Sequence, residues 1–235
     1  MDKIALVTGG ARGIGAEICR VLAREGWSVR IHYHTSKEAA FALAEETRGL
    51  ALQADVRDFL QVSRMFSQAG PVDLLVNNAG LAAYGLFTEM SIRRWKDLFA
   101  VNVDGVFHCT QCVLPHMIGQ KSGVIVNIAS VWGISGASCE ASYAATKAAV
   151  IGLTKSLAKE LGPSGIRVNC VAPGVVDTDM LKNLSPADLE MLRGETPLAM
   201  VGTPGDIAPL VAFLASAQAR FITGQVISPN GGLVI

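Results

Sequence analysis

Short apolar runs and longer amphipathic ones alternate along this chain. The apolar runs are IALVT from Ile4, VRIHY from Val29, LALQAD from Leu50, VDLLVNN from Val72, GVIVNIAS from Gly123, IRVNCVAP from Ile166 and GQVISP from Gly224. Runs this short, bounded by turn residues, read as strands, and strands covered on both faces are apolar throughout. Between them the helical period appears near 14–25, 37–48, 58–68, 91–118, 142–161 and 206–215. Strand then helix, repeated, predicts an α/β fold with one doubly wound parallel sheet of about seven strands and helices on both faces. No linker, composition break or internal repeat interrupts the alternation, so residues 1–235 read as one domain. The segment from Thr178 to Thr203 fits the sheet least. It has helix-like pieces, ends in ETPLAMVGTPGD and follows a strand end, where such sheets bind ligands; it reads as a substrate lid at about 178–203.

Composition narrows the class. Half of the 235 residues are hydrophobic and 17% are charged, which supplies a sizeable core and points to surface buried between subunits. Lys plus Arg equals Asp plus Glu at 20 each, with no basic run, so no nucleic-acid partner is expected. No apolar stretch approaches the roughly 20 residues that span a bilayer. MDKIALVTGG leads straight into a strand pattern without a secretory leader, so the expectation is a cytoplasmic protein with no membrane partner. Five scattered cysteines read as reduced thiols. Cys109 and Cys112 lie inside a helical pattern with no second pair, so they read as helix packing, and no metal is expected.

The first strand runs into TGGARGIG, Thr8 to Gly15, with glycines at Gly9, Gly13 and Gly15 and a helix pattern from about Ile14. Glycine lets the backbone turn sharply and approach a pyrophosphate, while the helix start offers free N–H groups and a favourable dipole. A dinucleotide-binding, Rossmann-type sheet follows from that turn placed after strand one. NAD sites usually carry an acid at the end of strand two. Here IHYHTSK puts Tyr33 near that position, followed by His34, Ser36 and Lys37, and Arg12 can reach the same region. Cationic and hydroxyl groups without a carboxylate suit a 2′-phosphate, so NADPH/NADP+ is expected in preference to NAD. Asp55 and Val56 end strand three, where a carboxylate can accept the adenine amino group. Asn77, Asn78, Ala79 and Gly80 end strand four, where small residues admit the ribose. Pro173 and Gly174 end strand six, with Val175, Val176 and Thr178 following to face the nicotinamide.

The stretch SVWGISGASCEASYAATK, residues 130–147, carries the candidate chemistry. Tyr143 and Lys147, at i and i+4, share a helix face. A phenol of pKa about 10 is a poor acid–base group near neutrality, and a neighbouring ammonium with a cationic nicotinamide favours its ionised form. Ser130 adds a second donor to a substrate oxygen. Asn102, in FAVNVDG within the 91–118 helix, is placed to kink that helix and hold a water beside Lys147.

TGGARGIG, NNAG, Asn102, Ser130, YAATK and the Pro173–Gly174 pair together resemble the short-chain dehydrogenase/reductase family, in order and spacing along essentially the whole chain. The resemblance implies a catalytic tetrad of Asn102, Ser130, Tyr143 and Lys147, with direct hydride transfer to a carbonyl. It implies that Tyr143 donates the proton, Ser130 positions the carbonyl, and Lys147 anchors the nicotinamide ribose and feeds a proton relay through a water held by Asn102.

Within the family the chain is similar to bacterial 3-oxoacyl-acyl-carrier-protein reductases in length, in KELGPSGIRVN and in TGQVISPNGG. VWGISGASCEASY, HYHTSKEAA, Asp177 and LSPADLEML at 184–192 are more like the reductases of the 5-aminopentanone modification of elongation factor P. The 162–165 loop and Ala199–Met200 lack the basic groups that suit carrier docking, Lys121 being the obvious cation before strand five. The partner expected is therefore a ketone, small or tethered to acyl carrier protein or elongation factor P. A hydroxysteroid or polyol dehydrogenase and a non-catalytic NADP-binding regulator remain as alternatives. Glu140, three residues before Tyr143, is either a helix-start acid or a reader of a substrate amine; Trp132 either walls the pocket or packs under the lid. Cys139 reads as a small apolar residue. The 91–118 and 142–161 helices resemble those of the family's four-helix interfaces, which implies a homotetramer, with a dimer next.

Overall fold

A computed structural model describes residues 3–181 and 185–235. Met1 and Asp2 of the chain start, and Lys182, Asn183 and Leu184 of the expected lid, lie outside the described residues. The seven apolar runs become β1 (Ile4–Val7), β2 (Ser28–Tyr33), β3 (Leu50–Gln53), β4 (Val72–Asn77), β5 (Gly123–Ile128), β6 (Ile166–Val171) and β7 (Val226–Ile227). They form one parallel sheet in the order β3-β2-β1-β4-β5-β6-β7. The helices are α1 (Gly13–Arg24), α2 (Lys37–Thr47), α3 (Phe59–Ala69), α4 (Ile92–Phe99), α5 (Gly105–Gln120), α6 (Trp132–Ser135), α7 (Ala141–Leu161), α8 (Pro186–Glu195) and α9 (Pro204–Ala215).

Alternation along the strands sends side chains to two separate cores. Ala5, Val7, Ile31 and Val126 meet Ile18 and Leu22 of α1, Leu43 of α2 and Val211 and Leu214 of α9. Leu6, Leu52, Leu75 and Ile125 meet Val62 and Phe66 of α3, Val113 and Met117 of α5 and Leu161 of α7 on the opposite face. Full burial of each such side chain stabilises the fold by about 1.5–3 kcal/mol, which is why strands with no polar face fold here as interior ones. β1 pairs with both β2 and β4, so the chain winds outward from it in two directions. A crevice opens at the carboxyl ends of β1 and β4, where the winding reverses.

Three elements differ from the sequence reading. The predicted 91–118 helix is α4 and α5 joined by a π-helical turn, Ala100–Asp104, and it runs on to Gln120. Period counting sees one long amphipathic run and misses the extra residue in the turn. GQVISP contracts to a two-residue strand, because Gly224 turns at φ +71° and Gln225 N–H goes to the Asn169 side chain instead of a backbone ladder. α6, directly after Ser130, was not anticipated. α8 is fixed at its start by a capping box: Asp188 N–H donates to Ser185 Oγ at 3.2 Å, and Ser185 N–H to Asp188 Oδ2 at 2.9 Å.

The segment expected as a lid leaves and returns at one point. Val176 bridges Gly202, with Asp177 N–H donating to Gly202 O at 2.8 Å and Gly202 N–H to Val175 O at 3.0 Å. Farther along, Leu198 N–H donates to Gly231 O at 3.1 Å. Among the described residues no helix is long and apolar enough to cross a membrane.

Candidate active site

The glycine turn is stitched to the end of β4. Thr8 Oγ1 accepts from Asn78 N–H at 2.9 Å and Ala79 N–H at 3.0 Å, while Asn78 Nδ2 donates to Thr8 O and Gly9 O at 2.9 and 3.1 Å. Gly9 and Gly13 sit at φ +60° and +50°, in the left-handed region. A Cβ on Gly15 collides with the Gly9 carbonyl oxygen and comes 2.6 Å from Asn78 Nδ2, so only glycine lets α1 start this close to the strand end.

A cavity of about 460 Å³ opens above that turn. Gly9, Arg12, Gly13, Ile14 and Gly15 form its floor, Tyr33 and His34 one wall, and Asp55 and Val56 the rim past β3. Asn78, Ala79 and Gly80 line the side beneath β4, and Thr178 closes it from the lid side. The structure thus brings these expected cofactor residues together, and their donor-rich, small-residue surface fits a dinucleotide. Pro173, Gly174 and Val176 do not line it. Pro173 O instead accepts from Val131 N–H at 2.8 Å, Gly174 lies against Asn230, and Val176 pairs with Gly202.

Three residues of this region escaped the sequence reading. Arg57 clamps Asp55, its Nε 2.9 Å from both carboxylate oxygens and Nη2 2.6 Å from Oδ2, and holds that carboxyl below the usual range. Asp179 takes Arg12 at 3.0 Å, so the arginine expected to face a 2′-phosphate is paired with the lid segment. His32, buried at the end of β2, accepts from Gly9 N–H through Nδ1 at 2.9 Å. Burial pushes its pKa down to about 4, so it is neutral near pH 7. The ADVRD pairing of acid and base two residues apart was visible; the other two contacts span 167 and 23 positions and left no local signal.

The catalytic candidates gather beyond Gly80. A Cβ there stands 3.4 Å from Asn102 Oδ1 and 3.5 Å from Lys147 Nζ, so the cluster lies directly behind Gly80 of the cavity lining, while Tyr143 and Lys147, also expected at the cofactor, do not themselves line the cavity. Tyr143 and Lys147 lie one turn apart on α7, both buried, with Nζ 5.7 Å from the phenol ring centroid. Lys147 Nζ donates to Ile128 O at 2.8 Å. Ser130 hydrogen-bonds the Tyr143 phenol and accepts from Trp132 N–H at 3.2 Å. Asn102, inside the π turn, accepts from Leu81 N–H at 2.8 Å and donates to Leu81 O at 2.9 Å and Thr146 Oγ1 at 3.0 Å. Thr146 Oγ1 in turn donates to Tyr143 O at 2.7 Å. Asn102 therefore grips the helix that carries Tyr143 and Lys147, with its side chain spent on Leu81 and Thr146.

One electrostatic expectation is corrected. Tyr143 is not made more acidic by its lysine: burial pushes the phenol up to about 12, against the pull of Ser130 and with help from the Glu140 charge. Burial also brings Lys147 down to about 8. The ammonium is directed at the Ile128 carbonyl rather than at the phenolic oxygen, and removing both groups from water outweighs their mutual effect.

At the mouth, Glu140 is half-buried immediately before α7, and burial raises its carboxyl. Cys139 holds φ +61° and its carbonyl accepts from Gly85 N–H at 2.9 Å, which ties the 81–86 loop to the mouth. Trp132 is half-buried at the start of α6, and its backbone N–H donates to Ser130 Oγ.

Comparison with known proteins agrees with this geometry. Residues 3–189 match the short chain dehydrogenase family. The chain is 47% identical to the 3-oxoacyl-[acyl-carrier-protein] reductase FabG of Staphylococcus aureus over 99% of its own length and 98% of the relative's. It is 41% identical to the oxidoreductase YmfI of Bacillus subtilis, with 99% of both chains covered. A crystal structure of 3-oxoacyl-[acyl-carrier protein] reductase from Brucella melitensis superposes with a TM-score of 0.93 at 33% identity, covering 99% of this chain and 91% of that one.

Proposed function

Because the chain belongs to the short-chain dehydrogenase family and is an oxidoreductase of that type, we propose that it is an NADPH-dependent carbonyl reductase whose substrate is a 3-oxoacyl thioester on acyl carrier protein. The observation that carries the reading is the buried Ser130–Tyr143–Lys147 cluster, with Lys147 Nζ close behind Gly80 of the cavity built on the glycine turn, in a chain this similar to FabG. The nicotinamide, when bound, supplies a hydride to the carbonyl carbon. Ser130 and Tyr143 donate hydrogen bonds to the carbonyl oxygen, and as charge grows there Tyr143 gives up its proton. A phenol with a pKa of about 12 is fully protonated at neutral pH, which is the state that reduction needs. Lys147, mostly protonated at neutral pH with a pKa of about 8, would hold the ribose hydroxyls and, its ammonium being turned to Ile128 O, would return the proton to the phenol through an intervening water. Asn102, through Leu81 and Thr146, holds the helix in register.

Tyr33 and His34 on the wall favour the 2′-phosphate of NADP over NAD, since no acid stands at the end of β2, and Arg12 would join them on leaving Asp179. The whole chain then serves as one NADP-binding domain in the cytoplasm, with 178–203 as its lid. A homotetramer is expected through α5 and α7, where Phe107 and Ile118 of α5 are exposed large apolar side chains. A second reading, reduction of an amine-bearing ketone such as the 5-aminopentanone of elongation factor P, is favoured by Glu140, a half-buried carboxylate beside the phenol. A substrate panel under NADPH decides: turnover of the acyl-carrier thioester supports the first reading, and turnover restricted to the modified elongation factor supports the second. NADPH binding without reduction of any ketone rejects both and makes the protein a cofactor-binding regulator.

A further inference from the structure

Two consecutive amides of the glycine turn are held by one residue of the neighbouring strand. Gly9 N–H donates to His32 Nδ1 and Gly10 N–H to the His32 carbonyl, each at 2.9 Å. The other ring nitrogen, Nε2, lies 3.0 Å from Ala54 O past β3. An N–H on one side and a carbonyl on the other allow one state, a neutral ring with its proton on Nε2. The peptide between Thr8 and Gly9 is thereby gripped at both ends, its N–H by His32 and its carbonyl by Asn78 Nδ2. Nothing in the carbonyl chemistry uses this imidazole, which is buried yet contributes to the cavity surface.

We propose that His32 is a positioning residue for phosphate binding: it locks the Thr8–Gly9 peptide so that the amides beginning α1 stay aimed at the cofactor's pyrophosphate. The proposal rests on the nicotinamide-dinucleotide reading of the cavity. Those first amides have no acceptor within the helix and are the groups an anion uses. Removing the imidazole acceptor leaves the N–H of the half-buried Gly9 without its partner and frees the Thr8–Gly9 peptide at that end. The charged and titratable neighbours are His34 just past the end of β2, Asp55 with its partner Arg57 past β3, Arg12 in the turn and Cys19 of α1, whose thiol donates to Gly10 O at 3.8 Å. Asp55 draws a proton toward the ring and His34 repels it, while burial keeps the ring neutral.

His32→Leu removes the acceptor at similar bulk, and His32→Asn keeps one. With ketone saturating, His32→Leu is expected to raise the cofactor KM roughly tenfold while kcat stays within about threefold, the size of one lost hydrogen bond. His32→Asn should recover much of that loss, and calorimetry with NADP+ should give the same ranking. Nitrogen-15 spectra of the wild-type imidazole should show the proton on Nε2. A folded His32→Leu protein with unchanged cofactor KM overturns the proposal, as do equal losses in both variants or an Nδ1–H ring. If His32→Leu does not fold by circular dichroism, His32→Asn and the imidazole spectra decide. A wild type that binds neither NADP+ nor NAD+ sinks the cavity reading and this proposal with it; binding that ignores His32 sinks the proposal alone.

Discussion

At the scale of single residues, the site works by taking ionisable groups out of water. Tyr143 is held as an acid, and Lys147 is charged at a cost that burial makes visible in its lowered pKa. Replacing Tyr143 by Phe should reduce turnover at least about a thousandfold, in line with loss of a positioned general acid, while NADP+ affinity measured by calorimetry stays within a few-fold. His32 carries a pH consequence. Its folded pKa of about 4 lies below the ordinary value of 6.5, so the unfolded chain binds the proton more readily. Stability from this group is complete above about pH 6.5 and is lost as pH falls toward 4, by about 3 kcal/mol in all. Urea midpoints measured across that window should fall for the wild type, and much less for His32→Asn. Tyr143 and Lys147 were legible because their spacing alone puts them on one helix face. The direction of the phenol's pKa was not, since burial is a property of the finished fold. Nor was His32, whose partner amide is 23 positions earlier.

At the scale of elements, the π turn between α4 and α5 does what a regular helix would not. One additional residue per turn leaves Asn102 free to satisfy both polar groups of Leu81 and still reach Thr146 on α7. Asn102→Ala removes the partner of both Leu81 backbone groups and of Thr146 Oγ1, so a loss of about 1–3 kcal/mol in unfolding free energy is expected. Thermal melting with and without NADP+ checks it. The glycine turn makes a complementary case. Gly15→Ala drives a methyl into the Gly9 carbonyl, which overpacking data place at about 1–3 kcal/mol, and the displaced turn should lose NADP+ binding as well. Helix and strand positions came through from the sequence because buried parallel strands and amphipathic helices have distinct periods. The π turn did not, because a single inserted residue barely shifts an apolar pattern nearly thirty residues long. Pro173, Gly174 and Val176 sit at a strand end as expected, yet Pro173 bonds to Val131, Gly174 faces Asn230 and Val176 pairs with Gly202, contacts that no local rule could place.

At the scale of the whole molecule, one sheet sets the arrangement: reversal of winding at β1 opens the crevice, and β5 and α7 bring Ser130, Tyr143 and Lys147 together behind Gly80 at the end of β4. Phe107 and Ile118 remain outside both cores on α5, and α7 exposes Ala148 and Gly152. Light scattering at micromolar concentration should report a tetramer, and Phe107→Glu should shift it toward smaller species. A further consequence follows from the backbone pairing of Val176 with Gly202. Departure and return are clasped at the same spot, and the described residues between them touch the rest of the fold at a few further points, Arg12 holding Asp179 and Gly231 holding Leu198. Exchanging that stretch for a longer or shorter one should alter which ketones are accepted while leaving the machinery for reducing them intact.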